Sequence, residues 1–76
     1  MDTQASNNIR ATIGLQIKKF RQKINLTQEK LAFKAEVDKT YINEVENGKR
    51  NISIVNLEKI IRALEVSFEN FFKGIE

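Results

Sequence analysis

The sequence contains no cysteine, no histidine and no proline, and each absence removes a class of explanation. Without cysteine there are no disulfides, thiolate metal sites or thiol nucleophiles; without histidine the usual acid-base side chain and metal ligand is gone. Without proline no helix is interrupted from within. No apolar run approaches the roughly 20 residues that would span a bilayer, and the N-terminus lacks a secretory-type apolar core. A soluble cytoplasmic protein is therefore expected, with no membrane partner. Length is scarce too: 76 residues make one domain near the lower end of what a single apolar core holds folded without staples. No cofactor, metal or small-molecule ligand is expected. No nucleophile-base pair can be assembled from this inventory, so an enzyme is the poorest reading.

Excess charge of one sign is small. Thirteen Lys and Arg against ten Asp and Glu give +3 and a pI near 9.4, a balance that fits a nucleic-acid partner and an ordinary solvated surface alike. The positions say more than the sum. Lys39, Lys49 and Arg50 flank one short segment, with Lys30 and Lys34 close in sequence.

Residues 1–8 are polar and without periodicity, which predicts a flexible N-terminal tail before a domain over 9–76. Ile13, Ile17, Phe20 and Ile24 then recur at helical spacing between charged and polar residues, which predicts helix 1 over about 9–23. Beyond it one local pattern occurs four times: an apolar residue, a Ser, Thr or Asp, and a second apolar residue four positions further on. The instances are Leu26-Thr27 with Leu31, Val37-Asp38 with Ile42, Ile52-Ser53 with Leu57, and Val66-Ser67 with Phe71. Each reads as an N-cap with a hydrophobic staple, in which the side-chain oxygen accepts from an orphaned backbone N–H. The caps predict helices at about 28–35, 39–47, 54–64 and 68–73. Gly48 stands where a left-handed residue would close the third. The fold class is all-α, with five helices.

Helices 2 and 3 are short and separated only by 36–38, the geometry of a helix-turn-helix. At 100° per residue Ile42 and Val45 of helix 3 face the core, with Tyr41 at the edge. Thr40, Asn43, Glu44 and Asn47 face outward beside Lys39, a short hydrogen-bonding surface suited to base edges. Any surface helix has a polar face, so the flanks carry the argument towards DNA. Thr27 and Gln28 begin helix 2, where free N–H groups and the helix dipole favour a phosphate. Lys49, Arg50, Asn51 and Ser53 follow helix 3 and could hold the backbone on its other side. Tyr41 and Asn47, at the margins of the face, complete the candidate phosphate contacts.

Leu26-Thr27-Gln28-Glu29-Lys30-Leu31-Ala32, Val37-Asp38-Lys39-Thr40-Tyr41-Ile42 and Val45-Glu46-Asn47-Gly48-Lys49-Arg50 closely resemble the Cro and phage-repressor (XRE) family of helix-turn-helix regulators. The resemblance covers roughly 13–72. Within that family, Leu-Ala-Phe-Lys at 31–34, Asp-Lys-Thr-Tyr-Ile at 38–42 and Arg-Asn-Ile-Ser at 50–53 look most like the controller proteins of restriction-modification systems. The resemblance implies a five-helix Cro/lambda-repressor-like domain that binds palindromic operator DNA as a homodimer. It implies a phosphate contact for Gln28, base contacts for Lys39 and Thr40, a place against the groove for Asn43 and a backbone contact for Arg50. It also implies that Arg21 pairs with Glu46. Relatives often carry Arg where Lys39 stands, and an ammonium cannot make the bidentate grip of a guanidinium on guanine. Glu44 would either accept from a cytosine amine or pair with a nearby Lys. Glu36 occupies a turn position where relatives commonly have Gly, so the turn either changes conformation or accepts a left-handed residue at about 1–2 kcal/mol.

Val66, Phe68 and Phe72 exceed what two short helices need for one small core and are the expected dimer contacts, with Phe71 in the core. A two-fold dimer would set its recognition helices about 34 Å apart. The expected activity is transcriptional regulation, with RNA polymerase as a possible further partner. A phage-type repressor or an antitoxin-like interaction module is the alternative.

Overall fold

The computed structural model describes residues 3–75, with side chains from Asn8 onward. It contains five helices: α1 (Thr3–Lys23), α2 (Gln28–Ala35), α3 (Lys39–Glu46), α4 (Ile54–Ala63) and α5 (Phe68–Phe72). Four of them lie within a residue or two of where the caps and periodicity put them. The exception is the start of α1. Within the stretch expected as a tail, residues 1 and 2 lie outside the described residues, whereas 3–8 continue α1 upstream of Ile9. No Gly or Pro interrupts Thr3–Asn8, and adding residues to a helix already nucleated by its apolar stripe is far easier than starting one.

Three of the four N-caps act as expected. Thr27, Ser53 and Ser67 accept from the backbone N–H of Lys30, Asn56 and Asn70, each at 3.1 Å, contributions of about 1 kcal/mol apiece. Asp38 differs: it has the extended backbone of a cap, but its carboxylate makes no capping bond. The dihedral angles and the staple suffice to begin α3 there.

Helices α1 to α4 end alike, in a residue of left-handed conformation: Asn25, Glu36, Gly48 and Glu65. At each end the left-handed residue donates to the carbonyl three positions back and the next residue donates to the one five back, as in Leu26 to Arg21 and Val37 to Ala32. This is the Schellman closure. Three of the four connections then share one tripeptide plan: Asn25-Leu26-Thr27, Glu36-Val37-Asp38 and Glu65-Val66-Ser67. The middle apolar residue closes one helix and staples the next. Glu36 is therefore left-handed, at φ 59° and ψ 44°, and the domain accepts the strain.

The core is one cluster with Ile17, Leu31, Ile42, Ile60, Ile61 and Phe71 at its centre. Phe71 is fully enclosed and stacks on Phe20 of α1. Ile13 and Ile17 from the α1 stripe are buried, but Ile9 upstream of them and Ile24, just past the end of α1, remain exposed. Where α1 crosses α3, Gly14 lies against the carbonyls of Val45 and Glu46, so closely that a Cβ would overlap backbone atoms. A glycine in mid-helix, unremarkable in the sequence, sets how near α1 approaches the end of α3.

Candidate nucleic-acid interface

Helix α3 is divided lengthwise. Ile42, Val45 and Glu46 are buried, whereas Lys39, Thr40, Asn43 and Asn47 are exposed and Tyr41 and Glu44 are half-buried at the margins. The sequence periodicity placed Ile42 and Val45 inward; it did not by itself place the carboxylate of Glu46 there. That carboxylate is answered by Arg21 on α1. Nε of Arg21 meets Oε2 at 2.6 Å and its Nη2 meets Oε1 at 2.9 Å, while Nη1 donates to the carbonyl of Leu26 at 2.8 Å. One guanidinium thus binds α1, the entrance to α2 and the end of α3. With side chains only 11% and 2% exposed, both charges have left water, and their fork geometry compensates that loss.

Gln28, at the first turn of α2, is also drawn into this pair. Its Nε2 donates to Glu46 Oε1 at 3.0 Å, and its Oε1 accepts from Asn43 Nδ2 at 3.3 Å. Asn47 Nδ2 donates to the backbone carbonyl of Asn43 at 2.8 Å. Asn43 is therefore associated with Gln28 and Asn47, and not with Lys39 and Thr40.

On the opposite margin Arg50 lies over the ring of Tyr41, 5.1 Å from its centroid, with Nε 2.9 Å from Glu44 Oε1. The hydroxyl of Tyr41 accepts from Asn56 Nδ2 of α4 at 3.2 Å. Glu44 is thus paired, with Arg50 instead of the expected Lys. Asn56 is a supporting residue that the sequence reading missed, since no local signal links it to a tyrosine fifteen positions earlier. The side chains of Lys39, Thr40, Lys49 and Asn51 have no hydrogen-bonding or ionic partner among the described residues. The candidate site is thus a buried anchor beneath two margins, one of amides and one built on Tyr41 and Arg50, with an unpartnered Lys-Thr pair at the leading end.

The helix-turn-helix family model matches residues 17–71. Among curated proteins, the control protein C.MunI of a Mycoplasma species is 44% identical over 71 residues, covering 92% of this chain and 96% of that one. Control protein C.BamHI of Bacillus amyloliquefaciens is 47% identical over 62 residues, covering 80% and 76%. The crystal structure of the restriction-modification controller protein C.AhdI from Aeromonas hydrophila superposes with a TM-score of 0.82 at 34% identity, over 86% of this chain and 98% of that one. The chain belongs to the helix-turn-helix family of restriction-modification controller proteins. Another solved controller protein, C.Esp1396I, is 42% identical with a TM-score of 0.81 over 84% of each chain, in a tetramer complexed with its natural 35 base-pair operator.

Helix α3 is thus fixed from behind by the Arg21–Glu46 pair and open in front, where the side chains of Lys39 and Thr40 are unpartnered among the described residues. Among the described residues no helix is long and apolar enough to cross a membrane.

Proposed function

We propose that this controller protein binds palindromic operator DNA as a homodimer in the cytoplasm, on the nucleoid, and regulates transcription of a restriction-modification operon by recruiting or excluding RNA polymerase. The observation that carries the reading is the state of Lys39 and Thr40. Both are exposed on the first turn of α3 and unpartnered, on a helix whose other face is locked by Ile42, Val45 and Glu46. A side chain free of internal partners can pair with base edges at little cost in broken bonds.

Thr27, Gln28 and Asn47 on one margin, and Tyr41, Lys49, Arg50, Asn51 and Ser53 on the other, are assigned to the backbone. Crystal structures of C.Esp1396I variants substituted at a consecutive Arg, Thr and Tyr support this focus, because Lys39-Thr40-Tyr41 repeats that order with Lys for Arg. Glu44 reads a base only if DNA first releases Arg50 from it.

Phe68 and Phe72 support the dimer assignment. They are exposed and lie nearly parallel, with centroids 6.4 Å apart. Val66, the third expected contact, is partly buried against the core. Ile54 and Val55, exposed at the start of α4, add apolar surface that the sequence reading did not single out.

The test measures binding to a selected operator and to random duplex. Lys39→Ala and Thr40→Ala are expected to relax preference at particular base pairs, each by about 1–3 kcal/mol. Arg50→Ala is expected to weaken both duplexes equally and to reduce the salt slope by about 1. Equal losses on both duplexes for all three variants would overturn the assignment of readers.

A further inference from the structure

Helix α1 presents two faces with different partners. At about 100° per residue, Gly14 and Arg21 lie within about 20° of each other and Gln16 and Phe20 within about 40°, the two pairs about 130° apart around the axis. The first pair faces α3: Gly14 lies against the carbonyls of Val45 and Glu46, and Arg21 holds the Glu46 carboxylate. The second faces α5. Gln16 Nε2 donates to the backbone carbonyl of Phe71, and the Phe20 ring stacks on that of Phe71 with centroids 5.8 Å apart.

Helix α5 depends on that second face. It is only five residues long, and the last four carbonyls of a helix have no intrahelical donor. The carbonyl of Phe71 is one of these, and Gln16 answers it from α1. From Phe71 the contact passes outward ring to ring: Phe71 meets Phe72 edge-on at 5.1 Å, and Phe72 lies parallel to Phe68 at 6.4 Å. Phe68 and Phe72 are the exposed pair that supports the dimer assignment. A continuous run of four rings therefore leads from α1 to that patch, and the patch takes its bearing from the helix that also holds α3.

Given the homodimer proposed above, we infer that α1 sets the separation of the two recognition helices, with Gln16 as the positioning residue that fixes the direction of α5. Ring contacts tolerate offset and tilt, whereas a hydrogen bond to a carbonyl prefers one direction. Gln16 touches neither DNA nor the partner subunit in this scheme. Loss of its donor leaves each half-site read as before and loosens the angle between the two.

The experiment uses the full chain and palindromic duplexes built from a selected operator, with the half-site separation kept, lengthened or shortened by one base pair, alongside a single half-site. One base pair turns a half-site by about 35° and shifts it by about 3.4 Å. The unaltered chain is therefore expected to lose at least about tenfold on either altered duplex. Gln16→Met, similar in shape and without a donor, should reduce that loss to about threefold while binding the single half-site as the unaltered chain does. Gln16→Glu, whose ionised carboxylate cannot donate, should behave alike and carries the test if Gln16→Met does not fold. Glu58→Gly lowers stability about as much as the loss of one hydrogen bond and should keep the full spacing preference. A purely structural role for Gln16 would make all three variants alike. Folded Gln16 variants that retain the full preference would overturn the inference and leave the dimer standing. An unaltered chain that binds all three separations equally would overturn the dimer as well.

Discussion

Two arginine-glutamate pairs bracket α3, the proposed recognition helix, built from the same groups at similar distances. Arg21 and Glu46 meet at 2.6 Å with side chains 11% and 2% exposed, whereas Arg50 and Glu44 meet at 2.9 Å with side chains 50% and 39% exposed. Burial separates their roles. The inner pair has lost its water and can be exchanged for nothing, so breaking it strands a charge among apolar groups. The outer pair is still solvated, so a phosphate oxygen can replace Glu44 on Arg50 at small cost. One helix thus uses the same chemistry to be fixed on one side and exchangeable on the other.

The largest effect should come from breaking the inner pair. Arg21→Ala or Glu46→Ala is expected to cost about 3–5 kcal/mol and, in a domain of this size, to lower the melting temperature by at least about 12 °C. Glu44→Ala, measured alongside, should change stability by less than about 1 kcal/mol. Similar losses from both would erase the distinction. Gly14→Ala should come next, at about 1–3 kcal/mol, because a Cβ there meets the carbonyls of Val45 and Glu46. Chemical denaturation of that variant measures how far the inner pair depends on the close approach of α1.

Glu36→Gly acts in the opposite direction. Relieving the left-handed strain should stabilise the domain by up to about 1–2 kcal/mol, with no change in DNA affinity if the turn conformation is retained. The smallest effect concerns a third pair, also at the surface. Lys34 Nζ lies 2.8 Å from Glu65 Oε2, and its hydrogen bond and charge hold the Glu65 carboxyl below its ordinary value. A carboxyl depressed by folding adds stability above its unfolded pKa and loses it as pH falls through the lower folded value. Lys34→Met should therefore slightly flatten the acid side of a melting-temperature profile. No change at neutral pH relative to acid would remove the pair from the account.

The features most legible in the sequence were local ones. Thr27, Ser53 and Ser67 cap their helices because a cap involves only the next turn, and the staples around them set the helix order. Asn25, Glu36 and Glu65 show the limit of local reading. Their left-handed backbone is imposed by the Schellman closures and by the packing of the following apolar residue; asparagine tolerates that conformation at 25, but no side-chain preference announces it at Glu36 or Glu65. The same limit applies within the candidate site. The link between Arg21 and Glu46 was available only through family resemblance. The pairing of Gln28 with Glu46, of Arg50 with Glu44 and Tyr41, and of Tyr41 with Asn56 depends on side chains brought together from different elements or turns. Helical spacing identified the outer face of α3 correctly, but it could not divide that face between Lys39 with Thr40 and Asn43 with Gln28.

Selection of bound duplexes from a random pool tests the central claim, that α3 of a two-fold dimer is presented to the major groove from a fixed base. The expected result is a palindromic consensus whose half-sites are centred about 10 base pairs apart, one turn of DNA. A pool that converges on a single asymmetric site, or on none, would contradict it.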